Sequence, residues 1–335
     1  MTMKLIALFF VFFLAVFSSS PQAAEAVPIV IKFSHVVAPD TPKGRAAEHF
    51  KRIAEARTQG RVIVEVYPNG QLHQDRDEME ALQSGAVQML APSLAKFGTL
   101  GVRSFELFDL PYLFPNKQSL HRVMDGKFGR LMFTQLESKG LLGLAYWDNG
   151  FKQMSANKPL KTLDDFEGLK MRIQSSKVLE AQMKALGAHP QVIAFSDVYS
   201  ALQRGNVDGT ENPLSNLYTQ KMHEVQRHLT LSDHGYLGYA VIVNKAFWEK
   251  LPQDIRTILN KAMQDSTVFE RRIAQEENDA ALAKVKAAGT TQVYVLPYKD
   301  RLIWQKALLP VHKEFESIIG RDLIQASYRA ASEEK

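Results

Sequence analysis

Short apolar strands alternate with helical segments along the chain, and this alternation constrains the fold more than any other feature. Ile29 to Ser34 (IVIKFS) is typical of a buried strand, and Asp40-Thr41-Pro42 then supplies a helix N-cap with proline at the first helical position. Arg61 to Tyr67 alternates as a second strand and stops at the Pro68-Asn69-Gly70 turn. Strands separated by helices favour parallel pairing, so the pattern predicts an α/β domain with mostly parallel strands.

The same alternation repeats after the loop Lys158-Pro159-Leu160, with a strand at Leu169 to Ile173 and a helix at Lys177 to Leu186. A second α/β unit is therefore predicted to begin near Phe151. Tyr236 to Val243 is a further strand-like run, which we expect to return to the first sheet. The resulting division gives residues 27–150 plus about 236–270 to a first domain, and 151–235 plus about 271–335 to a second.

One helical pattern is much longer than the others. It runs from about Pro252 to Ala288, with proline at its start and Gly289 at its end. At 1.5 Å per residue such a helix spans roughly 55 Å, so we expect it to cross both domains. The alternative is a surface helix on one domain with an overhanging end.

The N-terminal residues have the composition of a targeting segment. Lys4 supplies a positive start, and Leu5 to Phe17 form an apolar run shorter than the roughly 20 residues that a membrane-spanning helix needs. Ala24-Glu25-Ala26 fits the small-x-small cleavage pattern, so residues 1–26 are predicted to be a signal peptide, with cleavage near Ala24 as the alternative. An uncleaved membrane anchor is the other interpretation of this run.

Composition narrows the class of protein. The 335 residues contain no cysteine, which excludes disulfides, thiol catalysis and lipid attachment through an N-terminal cysteine. An exported chain that has neither a cysteine nor a membrane anchor is predicted to be a soluble protein of a bacterial periplasm. The net charge of +5 is spread over interleaved acidic and basic residues, so no nucleic-acid partner is expected.

Motifs for catalysis or metal binding are absent from the sequence. It contains neither the G-x-S-x-G elbow nor the G-x-x-x-x-G-K-[ST] phosphate loop. His223, Glu224 and His228 have the spacing H-E-x-x-x-H, and histidines five apart do not share a helix face. We therefore predict no enzyme, no metal and no cofactor.

Arg172 is the strongest candidate for binding. It lies at the end of an apolar strand, where an unpaired charge is costly, so it requires a partner. Its planar fork matches a carboxylate in two-point contact, which indicates an organic acid as ligand. The alternative is a structural salt bridge to Glu211 or Asp197.

Other polar side chains follow predicted strands, where open α/β sheets place ligands. Lys43 lies in the first turn of the first helix, and Ser93 follows Ala91-Pro92 at a strand end; a solvated lysine and an ordinary loop serine are the alternatives. Asn212 and Asn216 are four apart and share a face if a helix begins at Pro213, with helix capping the alternative for Asn212.

The loop at the predicted domain crossing adds three more candidates. This loop is Trp147-Asp148-Asn149-Gly150-Phe151, and Lys152 follows it directly. Trp147 and Phe151 would form the wall of a ligand cleft; the alternative is that these aromatic rings only pack in the core.

Long runs of the sequence resemble the extracytoplasmic solute receptors of tripartite ATP-independent periplasmic (TRAP) transporters. The matching runs cover nearly all of the mature chain, and they are IKFSHVVAPDTPKGRAAEHF, VYPNGQLHQDRDEMEALQSGAVQM, GLKMR, LGAHPQVIAFSDVYSALQRGNVDGTENP, KMHEVQRHL and NKAFWEKLP. The resemblance implies a two-domain periplasmic-binding-protein-like α/β fold, with a ligand cleft between the domains and a long helix spanning both. It also implies partnership with the small and large integral membrane subunits of a permease.

The resemblance further implies roles for individual residues. Arg172 corresponds to the arginine that pairs with the ligand carboxylate, Asn212 to a ligand-binding asparagine, and Lys152 to a position where relatives often have another basic residue. His35 in the opening run and Gln174 in MRIQSS are also counted among the expected ligand-binding residues.

Within the family, the run FSHVVAPDTPKG with Lys43, together with Ser93, resembles the sequences of the branch that binds four-carbon dicarboxylates. The sialic-acid branch has an acidic residue in place of Ser93, and an acid there would repel a second ligand carboxylate. The sequence therefore predicts a receptor for succinate, fumarate or malate.

Three other functions stay open at this point. They are a receptor for another organic acid (a monocarboxylate, keto acid or sugar acid), a ligand-sensing partner of a membrane chemoreceptor or kinase, and an exported enzyme acting on a carboxylic acid.

Overall fold

The computed structural model describes residues 27–332, so the predicted signal peptide lies outside the described residues. The strands are β1 Ile29–Ser34, β2 Val62–Tyr67, β3 Met89–Leu90, β4 Leu141–Ala156, β5 Lys170–Ile173, β6 His189–Val192, β7 Gly209–Asn212, β8 His228–Asn244 and β9 Gln292–Val295. The α-helices are α1 Pro42–Arg57, α2 Glu78–Ser84, α3 Lys117–Asp125, α4 Lys127–Leu136, α5 Lys177–Ala185, α6 Val198–Gln203, α7 Leu214–Thr219, α8 Met222–Val225, α9 Lys245–Lys250, α10 Gln253–Ala288, α11 Tyr298–Glu314, α12 Glu316–Ile319 and α13 Arg321–Ser332.

The sheet consists of two parallel groups of strands joined by two long antiparallel strands. The strand order is β2-β1-β3-β8-β4-β7-β5-β6, with β9 paired to β8. β1 pairs in parallel with β2 and β3, and β5 pairs in parallel with β6 and β7. β4 and β8 pair along almost their whole lengths, from Leu141 opposite Asn244 to Ala156 opposite His228. The predicted return of Tyr236–Val243 to the first sheet is confirmed, because β3 pairs with the end of β8.

The two long strands lose regular register midway along their length. Shifts occur between Asp148 and Gly150 and between Lys152 and Met154. Gly150 has φ +149, and a Cβ on it would lie 3.0 Å from Asn278 Nδ2, so a larger residue would be strained there. Asn278 on α10 donates to the carbonyl of Asn149 at 2.6 Å and accepts from the N–H of Ser215 at 3.0 Å. Helix α10 therefore holds this irregular segment against the start of α7.

Two apolar cores lie on opposite sides of this irregular segment, and α10 contributes to both. The first contains Phe33 and Phe50 together with Leu259 and Met263 from the N-terminal part of α10. The second contains Val198 and Leu217 from α6 and α7, with Ala281 and Val285 from the C-terminal part of α10. This 36-residue helix ends at Gly289 in the left-handed region, and its predicted passage across both halves of the molecule is confirmed.

Two local predictions are wrong. The sequence pattern predicts a single helix near Lys117 to Ser138, but the chain is extended at Gly126 (ψ −167°), which separates α3 from α4. The sequence also predicts a helix from Ser196 to Arg204 with Ser196 as its cap, but Ser196 lies within a 3₁₀ turn, and α6 begins at Val198 without a side-chain cap. The hydroxyl of Ser196 instead donates to Gln74 Oε1 at 2.6 Å.

The C-terminal helices pack on both halves of the molecule. Trp304 and Leu308 of α11 join the core around β5 and α5, whereas Ile319 and Ile324 of α12 and α13 join the core around α3 and α4. Contacts of α12 and α13 thus cross the predicted domain boundary. The residue bounds of the two domains stay a prediction. No helix within residues 27–332 is both long and apolar enough to cross a membrane.

Candidate ligand-binding site

A small cavity lies between the two halves of the sheet, beside the carboxyl ends of several strands. Residues from the β1–β3 side and β8 form one wall, and residues that follow β5, β6 and β7 form the other. The lining residues are Val36, Val37, Lys43, Asp75, Ser93, Lys96, Leu237 and Tyr239 on the first wall, and Gln174, Phe195, Asn212 and Asn216 on the second. Such a crevice outside the carboxyl ends of strands is where open α/β sheets bind ligands.

Lys43 is buried beside the cavity and is not a solvated lysine. Thr41 caps α1 by accepting the N–H of Gly44, which places Lys43 in the first helical turn. Its Nζ donates to the carbonyl of Ala91 at 2.9 Å and lies 3.8 Å from the centroid of the Tyr239 ring. Burial, with repulsion from Lys96, lowers the pKa of Lys43 to about 7.

Ser93 is held at the start of a 3₁₀ turn. Its Oγ accepts the N–H of Ala95 at 3.3 Å, and the residue forms an isolated bridge with Tyr239. Because the hydroxyl oxygen serves as the acceptor in this contact, its proton stays available for a ligand oxygen.

Lys96 forms a buried cluster with two carboxylates. Its Nζ makes ion pairs with Asp75 and with Glu78, and the Lys96 and Glu78 side chains are only 8% and 1% exposed. Burial would raise the pKa of Asp75, but Lys96, the N–H of Phe195 and Arg172 together hold that pKa below its usual range. The charge of Lys96 is therefore already balanced by protein groups.

Arg172 is buried on β5 and is not itself among the lining residues, but it lies against Phe195, which lines the second wall. Its Nε donates to the carbonyl of Ile193 at 3.0 Å, and its guanidinium carbon lies 5.8 Å from the centroid of the Phe195 ring. Arg172 forms no ion pair with either expected alternative partner, Glu211 or Asp197, within the described residues. Glu211 pairs with Lys152 and His234, and it favours the charged form of Arg172 only from a greater distance. Burial lowers the pKa of Arg172 to about 10, which leaves the guanidinium charged at neutral pH.

Two asparagines and a glutamine complete the second wall. Asn212 ends β7 and donates to Thr210 Oγ1 at 3.2 Å, so it does not cap α7. Asn216 lies on α7, and its buried Oδ1 has no hydrogen-bond partner among the described residues. The two side chains reach the same cavity, together with Gln174, although Asn212 is not helical.

The buried cations divide into two pairs with different surroundings. Four Lys or Arg side chains are buried within residues 27–332, namely Lys43, Lys96, Lys152 and Arg172. Lys96 and Lys152 form ion pairs with buried carboxylates, whereas Lys43 and Arg172 have no carboxylate within 4 Å in this part of the chain. Glu78 and Asp75 favour the charged forms of Lys43 and Arg172 only from beyond ion-pair distance. A buried cation without a direct carboxylate partner is costly, so these two positions favour an anion from outside.

Comparison with known proteins identifies the family. A family model described as "Bacterial extracellular solute-binding protein, family 7" matches residues 33–318. The chain belongs to this family. It is 62% identical over 315 residues to the C4-dicarboxylate-binding periplasmic protein DctP of Rhodobacter capsulatus, an alignment that covers 94% of each chain.

Solved structures of TRAP periplasmic solute-binding proteins extend the likeness to the whole fold. A TRAP periplasmic solute-binding protein from Shewanella oneidensis with bound succinate is 40% identical, with a TM-score of 0.90 over 91% of this chain and 100% of that one. A TRAP protein from Pseudomonas aeruginosa PAO1 with bound L-malate is 42% identical, with a TM-score of 0.84 over 86% of this chain and 100% of that one. The chain therefore has the predicted two-domain solute-binding fold, and it is a binding protein, not an enzyme.

Four other residues predicted for the site of this family 7 protein lie outside the cavity lining. Lys152 donates a hydrogen bond to Glu211 Oε1 at 2.7 Å. Trp147 is buried in the first apolar core, and its Nε1 donates to Thr267 Oγ1 at 3.0 Å. Phe151 packs edge-on against Tyr236 at a centroid distance of 6.0 Å.

His35 is the fourth of these residues, and it is also buried. Its two ring nitrogens have no hydrogen-bond partner among the described residues. Burial, together with Lys43, lowers the pKa of His35 to about 3, so the ring is neutral. The ligand-binding roles of all four residues stay predictions.

Several lining residues were not predicted from the sequence. Asp75, Lys96, Phe195 and Tyr239 lie in segments of ordinary composition, and only their tertiary contacts bring them to the cavity. Nothing local in the segments that contain Asp75 and Lys96 distinguishes a cavity residue from a surface charge. No group of three or more His, Cys, Asp or Glu in residues 27–332 has an arrangement able to hold a metal ion.

Proposed function

We propose that this family 7 protein is a periplasmic receptor that captures a four-carbon dicarboxylate and delivers it to the membrane subunits of a TRAP transporter. The observation that supports it most is the pair of buried cations without carboxylate partners, Lys43 on α1 and Arg172 on β5. They belong to opposite halves of the molecule, so a ligand with two carboxylates supplies one counter-charge to each half. The relatives named for C4-dicarboxylates, or solved with succinate or L-malate, support the same class of ligand.

The proposed binding mode assigns the two ligand carboxylates to opposite walls. Arg172, Asn212 and Asn216 hold one carboxylate from the second half, with Gln174 at their edge. Lys43 and Ser93 hold the other from the first half. A ligand that bridges the two halves binds their closed arrangement better than an open one, and it therefore shifts the population toward closure.

Cellular location and partners are part of the same proposal. Residues 1–26 are proposed to direct export and to be removed, which leaves a receptor free in the periplasm. Closure would then present a defined surface, made by both halves, to the small and large integral membrane subunits of the permease.

The contribution of the first half is tested by removing its cation and its hydroxyl. Lys43→Ala and Ser93→Ala are each expected to weaken succinate binding, Lys43→Ala by about tenfold or more because a charge-assisted contact is lost. Binding of butyrate, which has one carboxylate on the same four-carbon chain, is expected to change little. Isothermal titration calorimetry measures both ligands; unchanged succinate affinity in both variants would favour a monocarboxylate receptor.

Succinate binding is expected to be coupled to proton uptake by Lys43. The pKa of Lys43 is about 7 in the ligand-free protein, and a carboxylate beside Nζ favours the ammonium form, so the pKa rises in the complex. The complex then holds more protons than the free protein at pH values above about 7, and affinity falls as the pH rises from there. Below that pH the ammonium is already formed, and affinity is expected to level off.

Calorimetry in buffers with different ionisation enthalpies measures this uptake. At about pH 8 we expect the binding enthalpy to depend on the buffer, with an uptake approaching about one proton per succinate. The Lys43→Met variant is the matched control and should show no such dependence. A wild-type enthalpy independent of the buffer would show that Lys43 is not the group that meets the ligand.

A further inference from the structure

The loops that follow the two outermost strands of the sheet meet over the cavity. β2 and β6 lie at opposite ends of the strand order, so no other pair of strands is further apart in the sheet. The segment after β2 nevertheless contacts the segment after β6, since the N–H of Phe195 donates to Asp75 Oδ2 at 2.6 Å. Beside it, Ser196 Oγ donates to Gln74 Oε1 at 2.6 Å. These two hydrogen bonds connect the two halves, and two of the residues involved, Asp75 and Phe195, line the cavity.

Asp75 is fixed from its own side of the cavity. Its carboxylate makes an ion pair with Lys96, which is held in turn by the buried Glu78. The side chain of Asp75 is 16% exposed, so its contacts are shielded from water, which strengthens charge-assisted hydrogen bonds. The acceptor for the N–H of Phe195 is therefore rigid and charged.

Phe195 connects this contact to the ligand-binding wall. Its ring lines the cavity and lies beneath the guanidinium of Arg172. It also belongs to an apolar cluster with Val37, which follows β1 in the first half, and with Val198 in the second. Fixing the backbone of Phe195 fixes the surface against which Arg172 rests. Asp75 thus joins the anion-binding groups of the second half to the first half.

We propose that Asp75 is a latch residue, which holds the closed receptor together by accepting the N–H of Phe195 and thereby sets the lifetime of the bound ligand. It is a positioning residue, because it acts through Phe195 and Arg172 and has the same charge sign as the ligand. This inference rests on the proposed function, since it treats closure around a dicarboxylate as the event that the latch prolongs. A latch that forms only after closure affects dissociation of the ligand and leaves its association unchanged.

The test is stopped-flow kinetics of succinate binding to the full mature chain. Asp75→Ala is expected to raise the dissociation rate constant about tenfold, with the association rate constant within twofold of wild type. Asp75→Asn retains an oxygen acceptor for Phe195 but loses the charge, so a smaller increase is expected. Glu80→Ala, which removes an exposed carboxylate from nearby α2, is the matched control and should behave as wild type.

A second measurement separates a latch from a residue needed only for folding. The chain has no cysteine, so spin labels at Arg52→Cys and Lys184→Cys, exposed on α1 and α5, report the distance between the halves. With saturating succinate, Asp75→Ala is expected to show a mixture of short and long distances, where wild type shows the short one.

The outcomes separate the latch from the proposed function. Succinate dissociation from Asp75→Ala within twofold of wild type, or a fully short distance in that variant, would overturn the latch while leaving the receptor function intact. Absence of succinate binding by the wild type would overturn the receptor function itself. If Asp75→Ala does not fold, the same comparison is made with Asp75→Asn and Ser196→Ala, for which unchanged dissociation in both would overturn the latch.

Discussion

Replacing Arg172 by methionine is expected to weaken succinate binding by roughly 30-fold or more without lowering the stability of the ligand-free protein. Charge-assisted contacts in a desolvated site typically cost 2–5 kcal/mol when one partner is removed, and about 1.4 kcal/mol corresponds to tenfold in affinity. Arg172 is buried but has no carboxylate partner among residues 27–332, so its removal breaks no ion pair. Methionine keeps much of the apolar volume and removes the cost of burying an unpaired charge, which offsets the loss of the Nε hydrogen bond to the Ile193 carbonyl.

The paired measurement distinguishes a ligand-binding arginine from a structural one. Calorimetry gives the affinity, and thermal unfolding without ligand gives the stability of the same variant. Arg204, which is exposed on the surface near α6, supplies the control Arg204→Met, which should change neither. An unfolding temperature that falls sharply in Arg172→Met, together with near-normal affinity, would mean that Arg172 serves the fold and that the ligand binds elsewhere.

Replacing Glu211 by alanine is expected to have the largest effect on stability, a loss of about 3–5 kcal/mol in the free energy of unfolding. Glu211 is buried on β7 and accepts from Lys152 at 2.7 Å, His234 at 2.8 Å and Gln182 at 2.9 Å. Removing one member of a buried ion pair leaves the other charge without a partner, and breaking such pairs typically costs this amount. Denaturant unfolding monitored by circular dichroism measures the difference.

Glu180 provides the matched control for this prediction. It also contacts two lysines, Lys177 and Lys184, but these side chains are 68% and 63% exposed. Because water screens such pairs, Glu180→Ala should change the stability only slightly. A similar loss in the two variants would show that the buried arrangement of Glu211 adds nothing to its stabilising effect.

The Glu211 carboxylate also makes the stability of the folded protein depend on pH. Burial would raise the pKa of Glu211, but Lys152 and the hydrogen bond from His234 lower it well below the usual range for a carboxyl group. A group whose pKa is lower in the folded than in the unfolded state contributes stability above the unfolded-state pKa, and that contribution is lost as the pH falls through the folded value. Wild type should therefore lose more stability than Glu211→Ala between neutral and acidic pH.

Regular elements were predictable from the sequence because their signals are local. β1 was predicted with its observed bounds, and α1 and α10 begin within a residue of the proline signals that marked them. Caps and hydrophobic periodicity act within a few residues, so they can be recognised without knowledge of the fold. The break at Gly126 was missed because a single glycine inside a helical pattern is compatible with both a continuous and an interrupted helix.

The binding site was less predictable, because it depends on which side chains already have partners. Nothing local in the sequence shows which of the basic residues Lys43, Lys96, Lys152 and Arg172 will have an acidic partner. Their difference appears in the structure, where Glu211 balances Lys152, and Asp75 with Glu78 balances Lys96. The acidic partners lie 18 to 59 residues away from their lysines, beyond the range of any local pattern.

The most direct test of the central claim is a calorimetric titration of the mature wild-type protein with succinate and, separately, with butyrate. The two ligands share a four-carbon chain and differ in the second carboxylate. If Lys43 and Arg172 each receive one carboxylate, succinate should bind in a 1:1 complex, with butyrate weaker by about a hundredfold, as expected for loss of one charge-assisted contact in a closed site. Equal affinities for the two acids, or no binding of succinate, would contradict the account.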